Sequence, residues 1–196
     1  VNFTNIQQYT HCHKAQYVLA PFDQLFHWLV SKMINNNKPV KRGAFIVLEG
    51  VDRCGKTTQA SLLVKHLIGI GLATIAMRFP DRTTMVGDLI NQYLQSKSDL
   101  DDRAVHLLFS ANRWEAAPKL TSTLVDDKTT IVCDRYAHSG VAFSSAKPSL
   151  ENDLDWCKAC DVGLPAPDAV IFLNLSQEQA ERRGGYVWRC YRLGIG

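Results

Sequence analysis

The chain has 196 residues, 46% of them apolar, which suits one well-buried domain rather than two. Its formal charge of +3, with both signs interspersed, suits small anionic ligands and argues against polymeric nucleic acid as a partner. No apolar stretch reaches the ~20 residues of a bilayer span and no leader pattern opens the chain, so no membrane partner and an intracellular, cytoplasmic setting are expected.

Residues 1–40 mix polar and aromatic side chains without a clear period and pass through Asn35-Asn36-Asn37-Lys38-Pro39. They are expected to form an extension outside the core. Met33 lies ten residues before Gly43 and is the expected natural start; the alternative is that residues 22–33 form an amphipathic helix packed on the domain. His11-Cys12-His13 is too thin a pattern for a metal site.

From Gly43 onward the pattern is strand, then helix, repeated. Residues 44–49 form the first apolar run, and Gly50-Val51-Asp52-Arg53-Cys54-Gly55-Lys56-Thr57 follows it, matching G-x-x-x-x-G-K-[ST]. A glycine-rich turn between a strand and a helix aims successive backbone N–H groups into one concavity, and the helix N-terminus adds partial positive charge. A phosphate chain belongs there, with Lys56 reaching its outer phosphates and the Thr57 hydroxyl available to Mg²⁺. Cys54 occupies a variable position of this loop, near Lys56 and Arg53. The following segment, 58–70, carries Leu62, Leu63, Leu67 and Ile70 as its expected sheet-facing side and is stopped by Gly69 and Gly71.

Residues 73–79 read as the second strand, running into Arg78-Phe79-Pro80-Asp81-Arg82. Residues 101–114 read as a helix with Val105, Leu108 and Phe109 on one stripe. Residues 130–134 form a third strand ending at Asp134, a carboxylate that either helps hold Mg²⁺ or caps the next helix. Cys157-Lys158-Ala159-Cys160 has metal-ligand spacing but no second pair at a zinc-site distance, so ordinary thiols are expected. Residues 169–175 are the last strand, and no internal repeat appears. Strands buried on both faces with helical crossovers predict an α/β fold, a parallel sheet flanked by helices in three layers and carrying a P-loop.

Together these residues resemble the thymidylate kinase family, in its eukaryotic type. The likeness rests on Asp52-Arg53 in the loop, Arg78-Phe79-Pro80, the helix Phe109-Ser110-Ala111-Asn112-Arg113-Trp114-Glu115, and Asp134-Arg135-Tyr136. Ser139-Gly140-Val141-Ala142-Phe143, Gly163-Leu164-Pro165, Pro167-Asp168 and the lid start Arg182-Arg183-Gly184 extend it over residues 41–186. The resemblance implies transfer of the γ-phosphoryl group of ATP to dTMP, with Mg²⁺ as cofactor and possible homodimers. It implies that Gly50 to Thr58 and Arg183 bind ATP, and that Thr57 and Asp134 serve the metal. It makes Asp52, Arg53, Lys56 and Arg135 the catalytic set, with Arg53 as an arginine supplied in cis. It makes Asp52, Phe79, Arg82, Phe109, Arg113, Arg135, Ser139, Gly140 and Phe143 the dTMP site: Phe109 stacks on thymine, Arg113 bonds the base edge, Phe79 walls the nucleoside pocket, Arg82 and Arg135 hold the acceptor phosphate, and Asp52 reaches the sugar 3′-hydroxyl.

After Tyr186 the family pattern stops, and residues 187–196 read as a divergent tail. The family's last strand and helices are therefore expected to be missing, leaving a bare sheet edge and a weakened fold. The competing readings are another nucleoside or nucleotide kinase of the same architecture, and a nucleotide-binding form without catalysis. The guanine signature Asn-Lys-x-Asp is absent, which disfavours a GTPase switch.

Overall fold

The computed structural model describes residues 16–18 and 42–174. Strands β1 (Gln16–Val18), β2 (Phe45–Gly50), β3 (Thr74–Arg78), β4 (Thr130–Asp134) and β5 (Ala169–Leu173) form one sheet with every neighbouring pair parallel, in the spatial order β1-β5-β2-β4-β3. Between them run helices α1 (Lys56–Gly69), α2 (Met85–Leu94), α3 (Asp102–Val125), α4 (Ala137–Ser144) and α5 (Leu154–Ala159).

Alternation along β2 decides what lies on each face. Ile46 and Leu48 point to one side, where Ala60, Leu63 and Leu67 of α1 pack with Val132, Ala169 and Ile171. Phe45 and Val47 point to the other, against Leu120 and Leu124 of α3 with Ile131, Cys133 and Val170. The result is the expected three-layer α/β arrangement. Each fully buried Leu or Ile in these layers is worth ~1.5–3 kcal/mol relative to exposure, so the two apolar layers hold the P-loop and the tips of β3 and β4 in fixed relation.

Several expectations need correction. Leu62 and Ile70 are exposed rather than sheet-facing: 100° per residue puts the inward stripe of α1 at Lys56, Ala60, Leu63 and Leu67, and Leu62 falls off it. The helix expected to end at Trp114 continues to Val125, with Pro118 on its exposed side. Its inward face carries the polar residues His106, Ser110, Asn112 and Arg113, which an apolar period cannot reveal. β3 is an edge strand with Ile75 exposed, because a run of apolar residues does not distinguish a central strand from an edge. The β5 edge, expected to be bare, carries β1, drawn from the segment expected outside the core; three residues are too few to show a period. The proposed start at Met33, the alternative helix at 22–33 and the tail at 187–196 lie outside the described residues.

Candidate active site

The loop between β2 and α1 closes around its own lysine. Gly55 takes φ 95° just ahead of α1, a conformation open to glycine at no steric cost, and Arg53 takes φ 63°. Lys56 is 5% exposed and its Nζ donates to the carbonyls of Gly50 at 2.9 Å and Val51 at 2.5 Å, with Cys54 Sγ at 3.5 Å. Burial, then the nearby Arg135 cation, pulls the Lys56 ammonium below the usual lysine range. Asp52, Arg53, Gly55, Lys56, Thr57, Thr58, Arg78, Asp134 and Arg135 line one open cavity in front of this loop.

Asp134 does not cap α4, whose N-cap residue is Tyr136. Its Oδ2 accepts from Thr57 Oγ1 at 2.5 Å and lies 3.7 Å from Arg78 Nε. Its Oδ1 is buried and without a hydrogen-bond partner among the described residues. A buried carboxylate oxygen left open beside a threonine hydroxyl suits a hard cation that seeks oxygen ligands.

A second cavity is lined by all nine residues of the expected acceptor site: Asp52, Phe79, Arg82, Phe109, Arg113, Arg135, Ser139, Gly140 and Phe143. Phe79 also belongs to the core, its ring 5.5 Å from that of Tyr136. The Arg135 guanidinium sits 5.4 Å from the Phe143 ring, pairs with Asp52, and donates to Ser139 Oγ at 3.1 Å and to Gly50 O at 3.4 Å. The two cavities share Asp52, Arg78 and Arg135, so they meet at the arginine-lined mouth of the loop. Arg183 lies outside the described residues.

Four residues with defined contacts in this region are given no site role by the sequence reading. Asp161 grips Arg113 with both carboxylate oxygens, at 3.0 Å to Nε and 2.7 Å to Nη2, and both side chains are nearly sealed from solvent. Gly140 leaves room for this pair, since a Cβ there would stand 2.9–3.2 Å from the Arg113 guanidinium. Asn112 clamps the loop after β3, accepting from Asp81 N at 2.7 Å and donating to Asp81 O at 3.0 Å and Glu115 Oε1 at 2.7 Å. Lys147, at the far wall of the acceptor cavity, bonds Asp102 and the Tyr93 hydroxyl. Glu49 is 4% exposed and accepts from the backbone N–H groups of Tyr136 and Ser139. A lone acid inside an apolar strand run was the one available signal for Glu49; nothing in the sequence marks Asp161.

The chain is similar to known proteins over most of its length. The family model for thymidylate kinase matches residues 48–187. The chain is 53% identical over 148 residues to a thymidylate kinase of Dictyostelium discoideum, covering 75% of this chain and 65% of that protein. It is 52% identical over 154 residues to that of Homo sapiens, covering 79% of this chain and 71% of that protein. The structure of Candida albicans thymidylate kinase superposes with a TM-score of 0.70 at 40% identity, over 76% of this chain and 71% of that one. The chain thus spans about two thirds of the length of these relatives.

Proposed function

Because the chain belongs to the thymidylate kinase family, we propose that it transfers the γ-phosphoryl group of ATP to the 5′-phosphate of dTMP, giving dTDP and ADP. One observation carries this reading: the phosphate-loop cavity and the acceptor cavity meet at Asp52, Arg78 and Arg135. Two polyanions brought together at one mouth repel, and seven cationic side chains, Arg53, Lys56, Arg78, Arg82, Arg113, Arg135 and Lys147, line the two cavities.

An acceptor phosphate oxygen is already an adequate nucleophile, so the site needs alignment and charge neutralisation rather than a general base. In this reading Gly50, Val51, Cys54, Gly55, Thr57 and Thr58 supply the cradle for the ATP phosphates. Lys56 exchanges the Gly50 and Val51 carbonyls for phosphate oxygens, and Arg53 meets the charge on the transferring group. Arg82 and Arg135 hold the acceptor phosphate while Asp52 orients Arg135 and reaches the 3′-hydroxyl. Phe109 stacks on the base, Arg113 reads its edge from the Asp161 clamp, and Phe79, Ser139, Gly140 and Phe143 form the walls. By likeness Arg183 contacts adenine.

The Thr57 hydroxyl and the open Oδ1 of Asp134 fit Mg²⁺, which when bound neutralises the outer phosphate oxygens of ATP. Homodimer formation is part of the same proposal, and Met85 and Leu89 on α2 supply exposed apolar surface for it.

The test is phosphorus NMR of the products from ATP mixed with dTMP, dUMP or thymidine. dTDP and ADP in equal amounts from dTMP are expected. ATP hydrolysis without dTDP, or phosphorylation of thymidine itself, overturns the assignment.

A further inference from the structure

Helix α4 begins without a side-chain cap of its own; Tyr136, at its N-cap position, offers none. The acceptor comes from another element. Glu49, near the end of β2, has Oε1 2.9 Å from Tyr136 N and 3.2 Å from Ser139 N, so a carboxylate from the sheet satisfies two of the open donors at the helix start. Its other oxygen, Oε2, accepts a hydrogen bond from the Ser139 hydroxyl.

That last bond decides the direction of the next one. A serine hydroxyl has one proton. With the Ser139 proton held by Glu49, only lone pairs remain on the other side of Oγ, and there Arg135 Nη1 stands at 3.1 Å. Arg135 Nη2 pairs with Asp52, and the Arg135 backbone is itself in the left-handed region at φ 71°. The guanidinium is therefore held by Asp52 at Nη2 and by Ser139 Oγ, with the longer bond to Gly50 O, at Nη1, and the Ser139 contact is a relay from Glu49.

We propose that Glu49 is a positioning residue: it fixes the Ser139 hydroxyl as an acceptor and so aims the Arg135 guanidinium at the mouth shared by the two cavities. Its consequence for catalysis rests on the phosphoryl-transfer reading of that mouth; its effect on Arg135 does not. His138 does not substitute for the relay. Its Nδ1 lies 3.8 Å from Glu49 Oε1 without a hydrogen bond, and burial holds the imidazole toward its neutral form.

Glu49→Gln tests the relay. The amide keeps one oxygen for the two backbone N–H groups but turns an NH₂ toward Ser139. Oγ must then accept from it, and the hydroxyl proton faces Arg135, donor against donor. Nitrogen NMR of the ligand-free protein, with the Arg135 guanidinium signals assigned by their loss in Arg135→Lys, reads the outcome without substrate. Separate, slowly exchanging Nη signals are expected in the wild-type protein and collapsed ones in both Glu49→Gln and Ser139→Ala. dTMP affinity by calorimetry should fall about tenfold in each single variant and no further in the double variant.

Wild-type Arg135 signals in Glu49→Gln, even with a lowered melting temperature, would make Glu49 a helix cap only and overturn the proposal. So would multiplied affinity losses in the double variant. Ser139→Ala leaves the backbone bonds to Glu49 in place, so it keeps the relay testable where Glu49→Gln folds poorly, and unaltered Arg135 signals there overturn the proposal as well. A wild-type protein that does not bind dTMP overturns the functional reading alone, since the guanidinium signals still decide the role of Glu49.

Discussion

Thr57 and Asp134 lie 77 positions apart in the sequence and are joined by a 2.5 Å hydrogen bond that ties the first turn of α1 to the tip of β4. The bond uses one carboxylate oxygen and leaves the other, Oδ1, buried and open. Asp134→Asn keeps an oxygen for Thr57 but offers an amide where the open oxygen was. Turnover should fall roughly 10–100-fold, with a higher Mg²⁺ concentration needed for half-maximal rate and dTMP affinity unchanged. Metal titration of the rate checks this, and a wild-type Mg²⁺ response would remove Asp134 from the metal site. Chelation of Mg²⁺ should stop turnover in the wild-type protein.

Lys56 contacts the loop and lies outside the acceptor cavity. Lys56→Ala should therefore abolish phosphoryl transfer while leaving dTMP binding nearly intact. The Val51 carbonyl loses its donor in this variant and the Gly50 carbonyl keeps only the longer bond from Arg135, at a cost of ~1–3 kcal/mol if Val51 O stays dry. The variant should accordingly melt lower. Calorimetry with dTMP separates the two effects: a large loss of acceptor affinity would contradict the donor-side assignment.

Arg53 stands in the phosphate-loop cavity but not in the acceptor cavity. A cation that meets charge developing at the transferring group acts on kcat more than on either KM. Arg53→Ala should lower kcat by at least ~10², the lower part of the range for removing such a donor. Steady-state kinetics decides: a raised ATP KM with unchanged kcat would make Arg53 a binding residue only.

Arg113 and Asp161 form a buried bidentate pair, and the Arg113 guanidinium packs against the bare Cα of Gly140. In Gly140→Ala the new methyl must push the guanidinium, and Asp161 prevents it from yielding freely. dTMP affinity should fall with little change in ATP affinity. Removing the carboxylate in Asp161→Ala leaves a buried arginine unpaired, a change that costs ~3–5 kcal/mol in other proteins. Chemical denaturation should register that loss, and an unchanged midpoint would show that the guanidinium reaches water or another acceptor.

The legibility of this fold follows from which residues carry periodic or motif signals. The phosphate loop, β2, β4 and the nine residues that share one cavity were readable because each depends on local spacing or on a motif of adjacent residues. Glu49, Asp161 and Lys147 were not, because their partners lie 90, 48 and 45 positions away and nothing local demands them. The inner face of α3 was hidden for a related reason. His106, Ser110, Asn112 and Arg113 are polar, so hydropathy reads them as solvent-facing, whereas tertiary hydrogen bonds hold them inside. The swap of Leu62 for Ala60 on the inner stripe of α1 shows the converse: a large apolar residue is a weaker guide to the buried face than the helical angle.

His106 gives the fold a pH dependence of definite sign. The ring is fully buried between α3, α4 and α5, with Nε2 2.9 Å from the Cys157 carbonyl and Nδ1 2.7 Å from Ser144 Oγ. A carbonyl only accepts, so Nε2 carries the proton and Nδ1 accepts from Ser144. Protonating Nδ1 would reverse that bond and bury a cation, and burial accordingly pulls the His106 pKa below its ordinary value of 6.5. The unfolded chain then binds this proton first. Between pH 6.5 and the lower folded-state pKa, stability falls as pH falls, by at most about 1.4 kcal/mol per pH unit for one group; above pH 6.5 the contribution is full and constant. His138, also pulled down by burial, adds in the same direction. Asp81 and Asp102 have pKa values held below the usual 3.8, so their loss falls at lower pH and does not mask the histidines. His106→Gln preserves one acceptor and one donor but cannot titrate. Denaturant unfolding from pH 7 to 5 should show a shallower loss of stability in this variant than in the wild-type protein. An identical slope would mean that His106 takes up its proton in the folded state as readily as in the unfolded chain, and that Ser144 does not depend on a neutral ring.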